Sequence, residues 1–176
     1  MENRQNTCMS LGGFAEKFIL VKAPLGSGKS FQARKLNYQR ICWLTSTRTL
    51  ADETCRITGF TNYQHVPHNL PLSWKDKIII LAPSLYRMSF GFKPFDCFII
   101  DEAESVFEDL YSGLCKGANF ELGMNVLGLL MQTSQKILFM DGFLKNSALS
   151  VAANYASCLD EIRLVIGTYR PDRGTL

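Results

Sequence analysis

Between the apolar run Phe18–Ala23 and a segment of helical spacing, Gly28 to Tyr38, stand eight residues: Ala23-Pro24-Leu25-Gly26-Ser27-Gly28-Lys29-Ser30. No other stretch constrains the fold as tightly. Glycines at such a strand-to-helix turn let the backbone curl until successive N–H groups point at one spot, and the helix N-terminus adds partial positive charge there. That is a cradle for phosphate, with Pro24, Leu25, Gly26, Ser27, Gly28, Lys29 and Ser30 as its members. Lys29 would reach the β- and γ-phosphates and the Ser30 hydroxyl would ligate Mg²⁺, so ATP and Mg²⁺ are the expected ligands. The first position is Ala23 rather than glycine, so the fitting pattern is A-x-x-G-x-G-K-[S/T]. At average residue usage this pattern arises by chance in about one in two thousand chains of this length.

A phosphate cradle of this kind needs a strand before it and a helix after it, and the rest of the chain continues the alternation. Arg40–Thr45, Lys77–Ala82, Phe95–Ile100, Lys136–Met140 and Ile162–Ile166 read as further strands. The runs KIIILA and FDCFII are continuously apolar, as strands buried on both faces of a parallel sheet require. Thr47–Arg56, Glu104–Tyr111, Asn119–Met131 and Leu144–Tyr155 have helical spacing, with Thr47 placed as an N-cap. Strands alternating with helices imply a mostly parallel α/β sheet flanked by helices. The opening residues read as a loose tail, about 1–17, before one domain over 18–176.

Composition excludes several other classes. Hydrophobic residues make up 47% and charged residues 20%, which argues against disorder. The longest apolar stretch, Val126 to Met131, is far short of the ~20 residues that cross a bilayer, and no signal peptide is visible. The expectation is a soluble intracellular chain with no membrane partner. Six cysteines, at 8, 42, 55, 97, 115 and 158, form no C-x-x-C pair and read as reduced thiols. His65-Val66-Pro67-His68 reads as a polar loop rather than a metal site. Residues 1–100 carry 13 basic and 6 acidic side chains, whereas residues 101–176 carry 6 and 10. A basic half of this kind suits a polyanion or is simply a solvated face.

The second motif is Phe98-Ile99-Ile100-Asp101-Glu102-Ala103-Glu104. An apolar strand delivering two adjacent acids at its carboxyl end is the Walker B arrangement. Asp101 would hold Mg²⁺ through a water and Glu102 would act as general base toward the attacking water. With Lys29 at the phosphates, Glu102 completes the expected catalytic pair. A base beside the metal carboxylate points to ATP hydrolysis rather than phosphoryl transfer to a small acceptor.

At this level of detail the chain resembles the first RecA-like (P-loop NTPase) domain of superfamily 2 helicases, and most of all the herpesvirus origin-binding protein family of viral replicative helicases. The matching segments are VKAPLGSGKS, LTSTRTLADE, GFTNYQ, APSLYRM, FDCFIIDEAESVFEDLYSG, ILFMDGFL and IRLVIGTYRP, from Phe18 to Pro171. The resemblance implies an ATP-dependent helicase domain working on single-stranded or duplex DNA, with RNA not excluded, at a viral replication site in nucleus or cytoplasm. By position, Ser46, Thr47 and Arg48 fall on a segment that contacts a nucleic-acid backbone. From the residues alone the same three also read as a helix cap with an exposed arginine. Arg87, in SLYR, either holds a phosphate or braces the sheet. Glu104 and Asp141 fall on the segments that couple the ATP site to the nucleic-acid path. Where Gly142 stands many relatives have alanine, and DEAE differs from DEAD and DEAH at Glu104. No segment upstream of the phosphate loop matches the family's adenine-reading motif.

Such helicases place ATP between two RecA-like domains, the second supplying an arginine finger contributing roughly 10³–10⁵ in turnover. The second domain is absent from these 176 residues. The expectation is therefore very slow hydrolysis by this chain alone, no unwinding, and a second RecA-like domain or partner subunit that completes the site. A docking module that binds nucleotide or single strands without catalysis, and a small P-loop kinase, are the alternative readings.

Overall fold

The computed structural model describes residues 13–24, 26–111 and 117–167. Seven strands and five helices follow in order: β1 (Phe18–Lys22), α1 (Lys29–Ala33), β2 (Ile41–Thr45), α2 (Arg48–Thr58), β3 (Thr61–Asn62), β4 (Lys77–Leu81), β5 (Cys97–Asp101), α3 (Ala103–Tyr111), α4 (Ala118–Thr133), β6 (Lys136–Asp141), α5 (Asn146–Tyr155) and β7 (Ile162–Ile166). All seven strands pair in parallel, in the order β3-β4-β2-β5-β6-β1-β7. Every carboxyl end therefore opens on one edge of the sheet.

The apolar runs become strands because alternate side chains are buried on opposite faces. Phe18, Leu20, Leu44, Ile80, Phe98, Ile100 and Phe139 meet α3, α4, α5 and a 3-10 segment, Ala82–Met88. Ile19, Val21, Trp43, Ile79, Ile99 and Leu138 meet Ala33 of α1, Leu36, and Ala51 of α2. Trp43 is wholly buried and meets Phe60 edge-on, with ring centroids 6.2 Å apart. Trp74, by contrast, is 57% exposed, with Gly91 against its indole and the Lys93 ammonium over its ring.

Two expectations on element boundaries are corrected. The helix expected to run to Tyr38 ends at Ala33, because the bonding pattern tightens: Arg34 N–H still reaches the Ser30 carbonyl, but Lys35 and Leu36 donate to Gln32 and Ala33, three residues back. The strand expected from Phe95 starts at Cys97 and includes Asp101, so the Asp101 backbone is held by the β-ladder itself. The two-residue β3 and four 3-10 turns had no hydrophobic periodicity to announce them.

Among the described cysteines, Cys42, Cys55, Cys97 and Cys158 are free thiols. Burial pushes the Cys42 and Cys97 thiols upward, Cys97 to about 12, so both are inert core residues. Cys8, Cys115 and the expected tail up to residue 12 lie outside the described residues. No helix among the described residues is long and apolar enough to cross a membrane. Opposite the open edge, the Lys136 ammonium donates to the carbonyls of Phe14 (2.7 Å) and Glu16 (2.5 Å), fastening the chain ahead of β1 beneath the sheet.

Candidate nucleotide site at the carboxyl edge of the sheet

β5, β6 and β1 are consecutive neighbours, so their carboxyl ends bring Asp101, Asp141 and the loop after Lys22 side by side. The loop turns through Gly26 (φ 76°) and Gly28 (φ 80°), a left-handed backbone that side chains disfavour. Leu25 lies outside the described residues, and Pro24 is exposed at the loop's start. The Ser27 hydroxyl is buried and finds no hydrogen-bond partner among the described residues. A buried hydroxyl without a partner is costly in a protein interior, and here it fits a ligand oxygen.

Lys29 and Ser30 open α1. The Lys29 ammonium donates to the carbonyls of Ala23 (2.6 Å) and Pro24 (3.2 Å), curling back over the loop. The Ser30 hydroxyl donates to Asp101 Oδ2 at 3.2 Å, across 71 residues of sequence. Asp101 is 5% exposed, and its carboxyl is pushed up to about 6. Burial is the main cause and the charge of Glu102 adds to it, while the Ser30 hydroxyl, Lys29 and a backbone N–H pull the other way. Glu102 is half-buried and its carboxyl is also raised, by burial and by the Asp141 charge, against Lys29. It holds a left-handed backbone (φ 53°), sparsely populated for a non-glycine residue and concentrated at functional sites.

Glu104 and Asp141, expected to couple, are brought into contact. Asp141 Oδ2 accepts from the Glu104 N–H (2.9 Å), and Asp141 Oδ1 accepts from the Phe143 N–H (2.7 Å). The Glu104 carboxylate accepts from the Lys145 N–H (2.7 Å) and from the Ser147 hydroxyl. It thus caps the N-terminus of α5, which has no cap from its own Lys145 side chain. Ser147 was missed in the sequence; its only signal was a hydroxyl in the first turn of the helix after Asp141. An alanine at 142 would fit, since a Cβ there meets the Ala23 carbonyl at 3.7 Å.

The nucleic-acid candidates divide. Thr47 caps α2, accepting from the Leu50 N–H at 3.3 Å, and Arg48 is exposed beside it at the carboxyl end of β2, next to β5; Ser46 is half-buried. Arg87 spends both terminal nitrogens on main-chain carbonyls, of Tyr63 (3.2 Å), Val66 (2.8 Å) and Pro67 (3.4 Å). Of its two readings, bracing is the one these contacts favour.

A parallel seven-stranded sheet flanked by helices, with a glycine-rich turn between β1 and α1 and two acids, Asp101 and Glu102, at the carboxyl end of β5, is a RecA-like α/β fold. A DEAD box protein from Methanococcus jannaschii superposes with a TM-score of 0.58 at 17% identity, over 86% of this chain and 45% of that one. Saccharomyces cerevisiae Dbp5 bound to RNA and ADP BeF3 superposes at 0.55 and 15% identity (85% and 41%), and Mss116p bound to ssRNA and AMP-PNP at 0.53 and 16% (86% and 36%). No protein-family profile matches the chain. Among curated proteins it is similar to candidate helicase/primase complex proteins of African swine fever virus. It is 25% identical to that of the Kenya isolate over 149 residues, 78% of this chain, and 24% identical to that of the Badajoz strain. The chain spans about one seventh of those relatives' length, 14%.

Proposed function

We propose that this chain is the ATP-binding domain of a superfamily 2 DNA helicase of the viral replicative type, the origin-binding proteins included, and that hydrolysis is completed by a second RecA-like domain or partner subunit carrying an arginine finger. The observation that carries the reading is the Ser30–Asp101 contact at 3.2 Å, beside a buried Ser27 hydroxyl without a described partner. Hydroxyl and carboxylate together suit Mg²⁺, a hard cation that takes oxygen ligands. ATP with Mg²⁺, when bound, supplies the phosphoanhydride to be cleaved. Amides from Gly26 to Ser30 would hold its phosphates, and Lys29 would exchange the Ala23 and Pro24 carbonyls for phosphate oxygens. Glu102 takes the proton of the attacking water, its raised pKa moving it toward the range that suits a base at neutral pH. Glu104 and Asp141 carry the state of that edge to α5 and to the Phe143 loop. The relatives' helicase/primase name and the RNA- and nucleotide-bound neighbours support this class.

The test is a thermal melt with Mg²⁺–ADP, repeated with a single-stranded oligonucleotide. A ligand at one hundred times its Kd adds about 2.7 kcal/mol, which at ~2–4 °C per kcal/mol is an upward shift of roughly 5–10 °C. A further shift with oligonucleotide supports a helicase over a kinase. No shift with nucleotide would sink the proposal.

The two arginines separate by experiment. Arg48→Ala should lower the log–log salt slope of single-strand binding by about one unit. Arg87→Ala should leave that slope unchanged but destabilise the fold by ~1–3 kcal/mol, because it strips donors from partly buried carbonyls. The opposite pattern would exchange their roles.

A further inference from the structure

Resting on the nucleotide reading, the structure assigns a base-recognition element to that site: we propose that Phe31, backed by Arg34 and Lys35, is the platform on which the purine ring of the nucleotide stacks. Phosphate contacts along residues 26–30 would say nothing about the base. Phe31 directly follows Ser30, so it is the first bulky side chain beyond the phosphate cradle. α1 buries Ala33, and Leu36 follows it into the core, yet Phe31 stays 44% exposed. That leaves a partly exposed aromatic ring directly after the proposed phosphate loop.

The surroundings of the ring sharpen the point. The Arg34 guanidinium lies 3.9 Å from the ring centroid and the Lys35 ammonium 4.6 Å from it. Arg34 is in turn tied down, donating to the Ile57 carbonyl at the end of α2 at 3.1 Å. Ring and guanidinium are thereby held as one stack joining α1 to α2, instead of a side chain loose in solvent. A stacked phenyl and guanidinium offer a heterocycle flat polarisable surface and a cation, both of which favour stacking. Such a surface reads the area of a base rather than its exocyclic groups. Purines of either kind should therefore bind alike, and better than triphosphate alone.

Calorimetric titration of the chain with Mg²⁺–ATP, Mg²⁺–GTP and Mg²⁺–tripolyphosphate tests this in the unaltered protein, Phe31→Ala and Phe31→Trp. Phe31→Ala should weaken ATP and GTP roughly tenfold and leave tripolyphosphate unchanged, whereas Phe31→Trp should keep purine affinity. Equal loss for ATP and tripolyphosphate would make Phe31 a support of the loop and overturn the assignment. Unchanged ATP affinity in Phe31→Ala would overturn it too, as would a preference for one purine of about a hundredfold, which demands hydrogen-bonding readers elsewhere. Tripolyphosphate binding with no gain from the base would defeat the platform while sparing the phosphate loop. Failure of the unaltered chain to bind any of the three would overturn the nucleotide reading and this assignment with it.

Discussion

Lys29→Ala is expected to erase the thermal shift produced by Mg²⁺–ADP or Mg²⁺–ATP, through a loss of affinity of about a hundredfold or more. The magnitude follows from what is removed: charge-assisted hydrogen bonds to phosphate are worth ~1.5–3 kcal/mol each, and an ammonium shared by two phosphates makes two, ~3 kcal/mol or more together. Without ligand the variant should melt within a few degrees of the unaltered chain. Its present partners are the carbonyls of Ala23 and Pro24, the latter contact exposed to solvent, which can replace the lost donor. Loss of the positive charge also removes an influence that holds the Asp101 and Glu102 carboxyls down, so both should titrate higher still. Retention of the nucleotide shift in Lys29→Ala would take the loop out of the phosphate business altogether.

Asp101→Asn should stabilise the metal-free chain at neutral pH. The fold raises the Asp101 carboxyl from its ordinary 3.8 to about 6, so the folded state holds a proton that the unfolded chain has released. For an acid shifted upward, the favourable contribution is complete below pH ~4 and is lost as pH rises through ~6. At pH 7 the buried carboxylate is ionised at a cost of roughly 3 kcal/mol, which a neutral amide avoids. Melts in EDTA should therefore coincide near pH 4 and diverge above pH 6, with the variant higher by roughly 6–12 °C at pH 7. Adding Mg²⁺ with nucleotide should reverse the order, because only the carboxylate can hold the metal. An equal melting difference at pH 4 and pH 7 would remove the buried charge as its cause. The destabilisation is what burying a carboxylate beside the charge of Glu102 costs.

How much of this was legible beforehand depended on whether a residue's role was local. The central strands announced themselves because both faces are buried, so Ile78, Ile79 and Ile80 are all apolar. The turn through Gly26 and Gly28 into the helix that Lys29 and Ser30 open was legible because a glycine-rich strand-to-helix turn is a contiguous backbone device. Asp101 and Glu102 were legible because strand β5 delivers them directly. Glu104 was only half legible: its place in the chain suggested coupling, but its partners at Lys145 and Ser147 come from a helix 41 and 43 residues later. Arg87 was undecidable for the same reason, since its carbonyl partners sit in and just after a 3-10 turn without sequence periodicity. The platform around Phe31 was hidden by the short α1, whose early end leaves Arg34 at its C-cap, reaching across to Ile57.

The contrast between Trp43 and Trp74 equips the protein with two built-in optical reporters. They are the only tryptophans in the sequence, one sealed between the sheet and the helix layer that includes α1 and α2, the other open to solvent. Acrylamide will quench the red-shifted emission of Trp74 and leave the blue-shifted emission of Trp43. What remains after quenching is light from the core that Trp43 shares with Ala33 and Ala51, so unfolding of that layer can be followed without attaching a dye.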